Sequence, residues 1–200
     1  MKQNPPPRTK AGKAPVAKFK TAVLDVDVQS EVLPDGVAKT STFHGRTSFR
    51  PVGVGKKMFA STPGARTVIE DGTETVTKLT GRAEIKGLVR IQTVYGSKSK
   101  PTDRSGYGRG TTAADEAAGN TSLGFHESCH RQDYLDYLAG HALPKYTGAA
   151  GMTAAEFDDA ANSFVTAVDE YFADMERYSV DNTDEVGYKK SIHKAKGPRQ

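Results

Sequence analysis

The residues best suited to chemistry in this chain are His126, Glu127 and His130, which form the pattern HExxH. If this stretch is helical, the two imidazoles lie one turn apart on the same face, where both can reach one metal ion. Zinc lowers the pKa of a bound water to about 7, and a carboxylate beside that water can accept its proton during attack on a carbonyl. The spacing therefore predicts a zinc-dependent hydrolytic site with His126 and His130 as ligands and Glu127 as general base.

The flanking residues favour a helix around this pattern. Asn120-Thr121-Ser122 offers capping side chains before it, and Gly140 with Pro144 can end it. A match by chance is expected in only roughly 0.6% of chains of this length and composition. A helix is therefore predicted from Ser122 to Ala139.

A third ligand is needed, because two histidines do not hold a zinc ion firmly. Asp133 lies on the face of the histidines, but at about 10.5 Å along the axis from His126 it is too far away to share an ion. Asp136 could reach the metal only if a glycine stood in place of Asp133 and broke the helix. His141 could reach the metal only if the chain turned straight back after the helix. A carboxylate on a later helix is the stronger candidate.

A second helix is predicted from Thr153 to about Tyr178. Thr153-Ala154-Ala155-Glu156 matches a capping box, and apolar residues follow it with helical period. A second row along this helix begins with small residues, which would let another helix approach closely. Glu170 and Asp174 lie further along the same row. Their carboxylates are therefore expected to point at that neighbour. The apolar stripe consists of Phe157, Ala161, Phe164, Val168, Tyr171 or Phe172, and Met175.

The HExxH helix followed by Glu170-Tyr171-Phe172-Ala173-Asp174 resembles the gluzincin branch of the zincin metallopeptidases. In that family a glutamate on a later helix is the third zinc ligand, and a carboxylate four residues on orients a ligand histidine. The resemblance covers the segment from about Ser122 to Tyr178, and Asp169 stands where the family often has an asparagine. The residues that it assigns are the zinc ligands His126, His130 and Glu170, the general base Glu127 and the orienting carboxylate Asp174.

Hydrolysis of this kind also needs a group that stabilises the negative charge developing on the substrate oxygen. The spacing does not choose among the downstream candidates, which are Tyr178, Tyr188, His141 and His193. Cys129 lies inside the motif, but it faces away from the histidines. It is expected to be a small apolar core residue.

The first half of the chain predicts strands. Leu24-Asp25-Val26-Asp27-Val28 alternates, a hairpin turns at Asp71-Gly72, and Ile85 to Tyr95 is a long β-branched run. Strands followed by helices indicate an α+β fold. In zincins an edge strand pairs with extended substrate backbone, and the stretch from Leu88 to Tyr95 is one candidate for it.

One metallopeptidase domain is predicted over residues 21–188, between a disordered basic arm at 1–20 and a basic tail at 189–200. The stretch from Gly96 to Gly119 is polar and rich in glycine. It is predicted to be a loop that forms a lid or a substrate rim, in which Thr111-Thr112-Ala113-Ala114-Asp115 can cap one short helical turn.

The charge pattern bears on partners. The formal net charge is +4, and the excess lies largely at the two ends. Basic ends without interleaved aromatic residues are a weak sign of nucleic-acid binding. No apolar run approaches the roughly 20 residues that a membrane span needs. The expected partner is a peptide or protein substrate, and an inhibitor or a secretion partner is left open.

The sequence also bears on compartment and on function class. No apolar signal core follows Met1-Lys2-Gln3-Asn4-Pro5, and one cysteine offers no disulfide framework, so cytoplasmic synthesis is expected. A peptidase without an evident propeptide endangers the cell that makes it. Either such a peptidase is highly selective, or it acts elsewhere after export by a signal-independent route. The hypothesis that follows from the second alternative is a bacterial effector or toxin. A zinc-dependent endopeptidase is the leading function, and the alternatives are a non-peptidase zinc hydrolase and an inactive, metal-stabilised interaction protein.

Overall fold

The chain has an α+β fold, with strands in its first half and helices in its second, as the sequence predicts. The structure is a computed structural model that describes residues 18–20, 24–40, 42–55 and 59–187. Apart from β1, the predicted basic arm lies outside these residues, and so does the predicted tail at 189–200. The strands are β1 (Lys18–Lys20), β2 (Leu24–Val32), β3 (Gly36–Val37), β4 (Gly45–Gly53), β5 (Ala60–Ser61), β6 (Gly64–Glu70), β7 (Thr73–Thr80) and β8 (Ala83–Tyr95).

Six of these strands form one sheet around β8. β2 runs parallel to β8 and β4 runs antiparallel to it, and both pair with residues 87–91 of β8, so they lie on opposite sides. β3 continues the side of β2, β5 continues the side of β4, and β1 pairs with β2. The stretch Leu88–Tyr95 is thus central and is not an edge strand. Among the described residues β4 pairs with β8 alone, so β4 is one of the edge strands of this sheet and its other side is unpaired.

Strand β8 forms because its β-branched residues fit a pleated sheet with one buried face. Its side chains alternate between buried and half-buried along the whole strand. Ile85, Val89 and Ile91 are completely buried on one face. The helices pack on that face.

The predicted hairpin is present as β6 and β7, which pair antiparallel in a separate two-stranded sheet. Asp71 and Gly72 both have positive φ, at 50° and 76°, as a tight hairpin turn requires. Val76 of β7 is buried, and its N–H donates to the carbonyl of Met152. The hairpin is therefore attached to the residues just before the long helix.

The helices are α1 (Ala113–Ala117), α2 (Leu123–Gly140), α3 (Ala154–Ser179) and a short π-helix (Val180–Asp184). Ser122 caps α2 by accepting a hydrogen bond from the N–H of Phe125, at 3.1 Å. Thr153 and Glu156 form the predicted capping box of α3. None of the helices in the described part of the chain is long and apolar enough to cross a membrane.

The core lies between the buried sheet face and the two long helices. The Phe49 ring of β4 packs edge-to-face on Tyr134 of α2, with centroids 4.9 Å apart, and also contacts Phe172 of α3. Aromatic pairs of this kind add about 0.5–1.5 kcal/mol to the gain from burial. This packing holds α2, and with it the HExxH pattern, beside β4. The predicted stripe of α3 is buried at Phe157, Phe164, Val168, Tyr171, Phe172 and Met175, and Ala161 is half-buried.

Candidate metal centre

Helix α2 presents the two histidines to the same point. His126 is 1% exposed and His130 is 8% exposed, and their ring centroids lie 4.9 Å apart. Residues four apart on a helix share a face, which brings the rings together without any distortion of the backbone. The HExxH stretch is therefore helical, and its histidines point into the protein.

Asp184 is the carboxylate that meets the two imidazoles. Its Oδ1 lies 3.2 Å from Nε2 of His126 and 3.0 Å from Nε2 of His130. All three candidate ligand atoms lie within 4.8 Å of one another, close enough to surround one ion. Asp184 is the last residue of the π-helix that follows α3. Such π-helical turns occur often at functional sites.

The other ring nitrogen of each histidine has an oxygen partner. Nδ1 of His126 lies 2.9 Å from the carbonyl oxygen of Arg109, and a carbonyl can only accept, so Nδ1 carries the proton. Nδ1 of His130 lies 2.7 Å from Oγ of Ser179, whose hydroxyl in turn approaches Asp133. Both arrangements favour a protonated Nδ1, which leaves the Nε2 lone pairs directed at Asp184. This is the tautomer that a metal-binding histidine needs.

This arrangement fits a bound cation. Two imidazole nitrogens and one carboxylate oxygen are the kinds of ligand found in catalytic zinc sites. The buried Nε2 of His126 makes no hydrogen bond within the described residues, although Oδ1 of Asp184 is only 3.2 Å away. A neutral nitrogen and a carboxylate oxygen repel each other at this distance unless a positive charge lies between them. The site therefore calls for a proton or a metal ion.

The pKa shifts of His126 and Asp184 also favour a positive charge at this point. Burial acts to lower the pKa of His126, but the Asp184 carboxylate and the Arg109 carbonyl outweigh it and raise that pKa. Burial acts to raise the pKa of Asp184, but the imidazoles of His126 and His130 beside the carboxylate hold it far below its usual range. A divalent cation satisfies the same three groups without requiring a protonated histidine.

Glu127 lies beside this cluster and against β4. It is 3% exposed, and Oγ1 of Thr47 donates to its Oε2 at 2.7 Å. Arg131 donates to Thr93, whose hydroxyl lies 2.7 Å from that of Thr47, so a chain of polar groups leads from a guanidinium to the carboxylate. Such chains orient and polarise the groups that they join. Gly45 leaves the space that the carboxylate fills, because a Cβ there would lie 2.4 Å from Oε1 of Glu127.

The structure does not bring the expected third ligand, Glu170, to the histidines. Glu170 is exposed on α3, nine residues before Ser179, which contacts His130. Nine residues correspond to about 13.5 Å along the axis and to about half a turn away from the contacting face. Asp174, the expected orienting carboxylate, is also exposed and pairs with Arg177. In the structure Asp184, and not Glu170, lies against the two histidines, and Ser179, and not Asp174, contacts His130.

The other residues considered from the sequence have different surroundings. Asp133 is not in the cluster, and it accepts a hydrogen bond from Oγ1 of Thr183 at 2.7 Å, which fastens the π-helix to α2. Asp136 is exposed and pairs with Gln132. Cys129 is half-buried, and burial raises the pKa of its thiol.

Of the candidates for stabilising the substrate oxygen, the two that the structure describes, His141 and Tyr178, pack on Tyr137. His141 stacks on Tyr137 with centroids 3.9 Å apart, and Tyr178 packs on the same ring. Tyr188 and His193 lie outside the described residues. Sequence reasoning missed Tyr107, which is 48% exposed and has its ring centroid 4.9 Å from that of His126. No pattern marks this residue, because it lies in an irregular loop.

Asp184 was missed for a related reason. It lies beyond the predicted end of α3, and a π-helix does not follow the periodicity by which helices are read from sequence. The loop at Gly96–Gly119 does contain the predicted helical turn, α1, capped by Thr112. Its contribution to the site is the Arg109 carbonyl.

Comparisons of the chain with models of protein families, with curated proteins and with solved structures found no significant match.

Proposed function

We propose that the chain is a zinc-dependent peptidase in which His126, His130 and Asp184 hold the metal and Glu127 is the general base. The observation that carries this proposal is the convergence of two Nε2 atoms and one Oδ1 within 4.8 Å of one another. The buried Glu127 carboxylate is adjacent to the first of these residues on the same helix. The proposed site differs from the gluzincin assignment in its third ligand, so it resembles the zincins in the HExxH helix alone.

Each protein group has a role in this proposal. Zinc in such a site lowers the pKa of a bound water and polarises the substrate carbonyl. Glu127 accepts the proton from the attacking water and passes it to the leaving nitrogen. Thr47 holds one carboxylate oxygen of Glu127 at 2.7 Å, which fixes the direction in which the other can act. The buried surroundings strengthen these interactions by excluding solvent.

The edge strand β4 favours a peptide as substrate. The carbonyl of His44 accepts a hydrogen bond from Gly96, and hydrogen-bonded pairs alternate along an antiparallel ladder. The backbone of the next residue, Gly45, therefore points away from β8 and toward the open edge. Gly45 also contacts the Glu127 carboxylate. An extended substrate that pairs with β4 by strand addition would pass the general base.

The test compares wild type with Glu127→Gln after zinc reconstitution. A mixture of unstructured peptides is incubated with each protein, and cleavage is followed by mass spectrometry while zinc content is measured on the same samples. Wild type is expected to cleave peptides, and Glu127→Gln is expected to lose about 10²- to 10⁴-fold in rate while retaining zinc. Equal cleavage by the two proteins would remove Glu127 from the reaction. Zinc-loaded wild type without any cleavage would refute the peptidase proposal.

A further inference from the structure

Arg109 contacts both halves of the candidate metal centre through its backbone. Its carbonyl oxygen lies 2.9 Å from Nδ1 of His126. Its N–H donates at 2.8 Å to the carbonyl of Thr183, the residue before Asp184. Arg109 therefore contacts one candidate ligand, His126, directly. It also contacts the backbone next to the other candidate ligand, Asp184. A shift of Arg109 would disturb both ligands together.

The conformation at Arg109 is fixed by the buried carboxylate of Asp115. Asp115 is 4% exposed and binds the Arg109 guanidinium through both oxygens, at 2.9 Å from Nη2 and 3.0 Å from Nε. It also accepts from the N–H of Gly110 at 2.9 Å and from the hydroxyl of Thr112 at 2.7 Å. The guanidinium, the N–H and the hydroxyl hold the pKa of Asp115 far below its usual range. Charge-assisted paired hydrogen bonds of this kind are strong and directional.

Close packing ties the same turn to the π-helix. Gly108 has a φ of +59°, and a Cβ there would lie 2.1 Å from the carbonyl oxygen of Thr183. Ser105 donates to the carbonyls of Tyr107 and Arg109, at 3.0 and 3.2 Å. The loop is therefore in direct backbone contact with the segment that carries Asp184, and Asp115 fixes its geometry.

We propose that Asp115 is a positioning residue for the metal centre: it holds the loop so that the Arg109 backbone orients His126 and supports the π-helix that bears Asp184. This inference rests on the proposed metal site. It assigns Asp115 no contact with metal or substrate. Partners of metal-binding histidines commonly change metal affinity by about 10- to 100-fold when they are lost, and Asp115 acts one step further out, through the carbonyl that contacts His126.

The experiment measures zinc affinity in Asp115→Asn by competition with a chromogenic chelator, together with the melting temperature of the metal-free protein. Asparagine has the same shape but lacks the charge that pairs with the guanidinium. The matched control is Glu116→Gln, which removes the exposed ion pair between Arg104 and Glu116 from the same short helix. Asp115→Asn is expected to weaken zinc binding by about 10-fold or more. Glu116→Gln is expected to leave zinc binding unchanged.

A second variant guards against misfolding. Arg109→Lys keeps the backbone contacts and the positive charge but loses the forked hydrogen bonds to Asp115. It is expected to weaken zinc binding in the same direction, and cobalt-substituted protein is expected to show an altered absorption spectrum in both variants. Wild-type zinc affinity in either folded variant, or an equal loss in Glu116→Gln, would overturn the role of Asp115. Failure of wild type itself to bind zinc would overturn the proposed function and this inference with it.

Discussion

At the scale of single residues, the candidate site depends on which nitrogen of each histidine carries its proton. His126 and His130 both direct Nδ1 at an oxygen and Nε2 at Asp184. A histidine without its Nδ1 partner can rotate or take the other tautomer, and both changes weaken metal binding. Replacing a partner of Nδ1 is therefore as direct a test of the metal site as replacing a ligand.

Ser179→Ala removes the partner of His130 without altering any candidate ligand. Ser179 is fully buried, and its Oγ lies 2.7 Å from Nδ1 of His130. The variant is expected to bind zinc about 10- to 100-fold more weakly than wild type, as measured by chelator competition. Ser128→Ala is a control on the same helix as His130, because the Ser128 hydroxyl is exposed and donates to a carbonyl of its own helix. A Ser179→Ala variant with unchanged zinc affinity would show that this contact does not matter for binding.

At the scale of elements, the candidate site joins one strand, one helix, one π-helix and the loop that carries Arg109. α2 supplies both histidines and Glu127, β4 supplies the groups around the Glu127 carboxylate, and the π-helix supplies Asp184. Asp133 on α2 accepts a hydrogen bond from Thr183 of the π-helix. This bond joins the two elements beside the site, in addition to the contacts of Asp184 with the histidines.

Gly45→Ala tests the contact between β4 and the proposed general base, Glu127. The added methyl would lie 2.4 Å from Oε1 of Glu127 and would displace the carboxylate, while the histidines and Asp184 are untouched. Peptide cleavage is expected to fall at least about 10-fold, since small displacements of catalytic groups are costly. Zinc content, measured on the same samples, is expected to remain at the wild-type level.

The control for this variant is Gly36→Ala in β3. A Cβ at Gly36 would meet its nearest neighbours at 3.6 Å, an ordinary contact distance. This variant is expected to cleave peptides at the wild-type rate. If Gly45→Ala did the same, the carboxylate would have to be mobile, and its fixed position against β4 would not be needed for activity.

The elements were largely predictable, but their assembly was not. Capping residues and apolar period predicted α2 and α3 closely, and Asp71-Gly72 predicted the hairpin, because these signals are local. The central place of β8 depends on pairing with strands far away in sequence, which alternation within a strand does not encode. Asp184 depends on a change from α- to π-helical winding after Ser179. Glu170 had a suitable spacing, but spacing does not say how a helix is rotated about its own axis.

At the scale of the whole molecule, the candidate metal joins distant parts of the chain. His126 and His130 belong to α2, and Asp184 lies more than 50 residues later, as the separation of 54 between His130 and Asp184 shows. A ligand that binds only the folded state stabilises it in proportion to the logarithm of its concentration over Kd. Zinc should therefore act as a cross-link between α2 and the end of the helical region.

Thermal unfolding measures this stabilisation. At a free zinc concentration 100 times the Kd, the free energy of unfolding is expected to rise by about 2.7 kcal/mol over the metal-free protein. The melting temperature should rise accordingly, by several degrees in a chain of this size. Magnesium at the same concentration is expected to have no such effect, since it prefers oxygen ligands to imidazole. Equal melting temperatures with and without zinc would argue against a site that ties these segments together.

The central claim is that Asp184, with His126 and His130, holds zinc. Elemental analysis of wild type, Asp184→Ala and Glu170→Ala after zinc reconstitution and removal of free metal tests it most directly. Wild type and Glu170→Ala are expected to retain zinc equimolar with the chain, and Asp184→Ala is expected to lose it. Zinc retained by folded Asp184→Ala, or lost from folded Glu170→Ala, would contradict the account and return the third ligand to another residue.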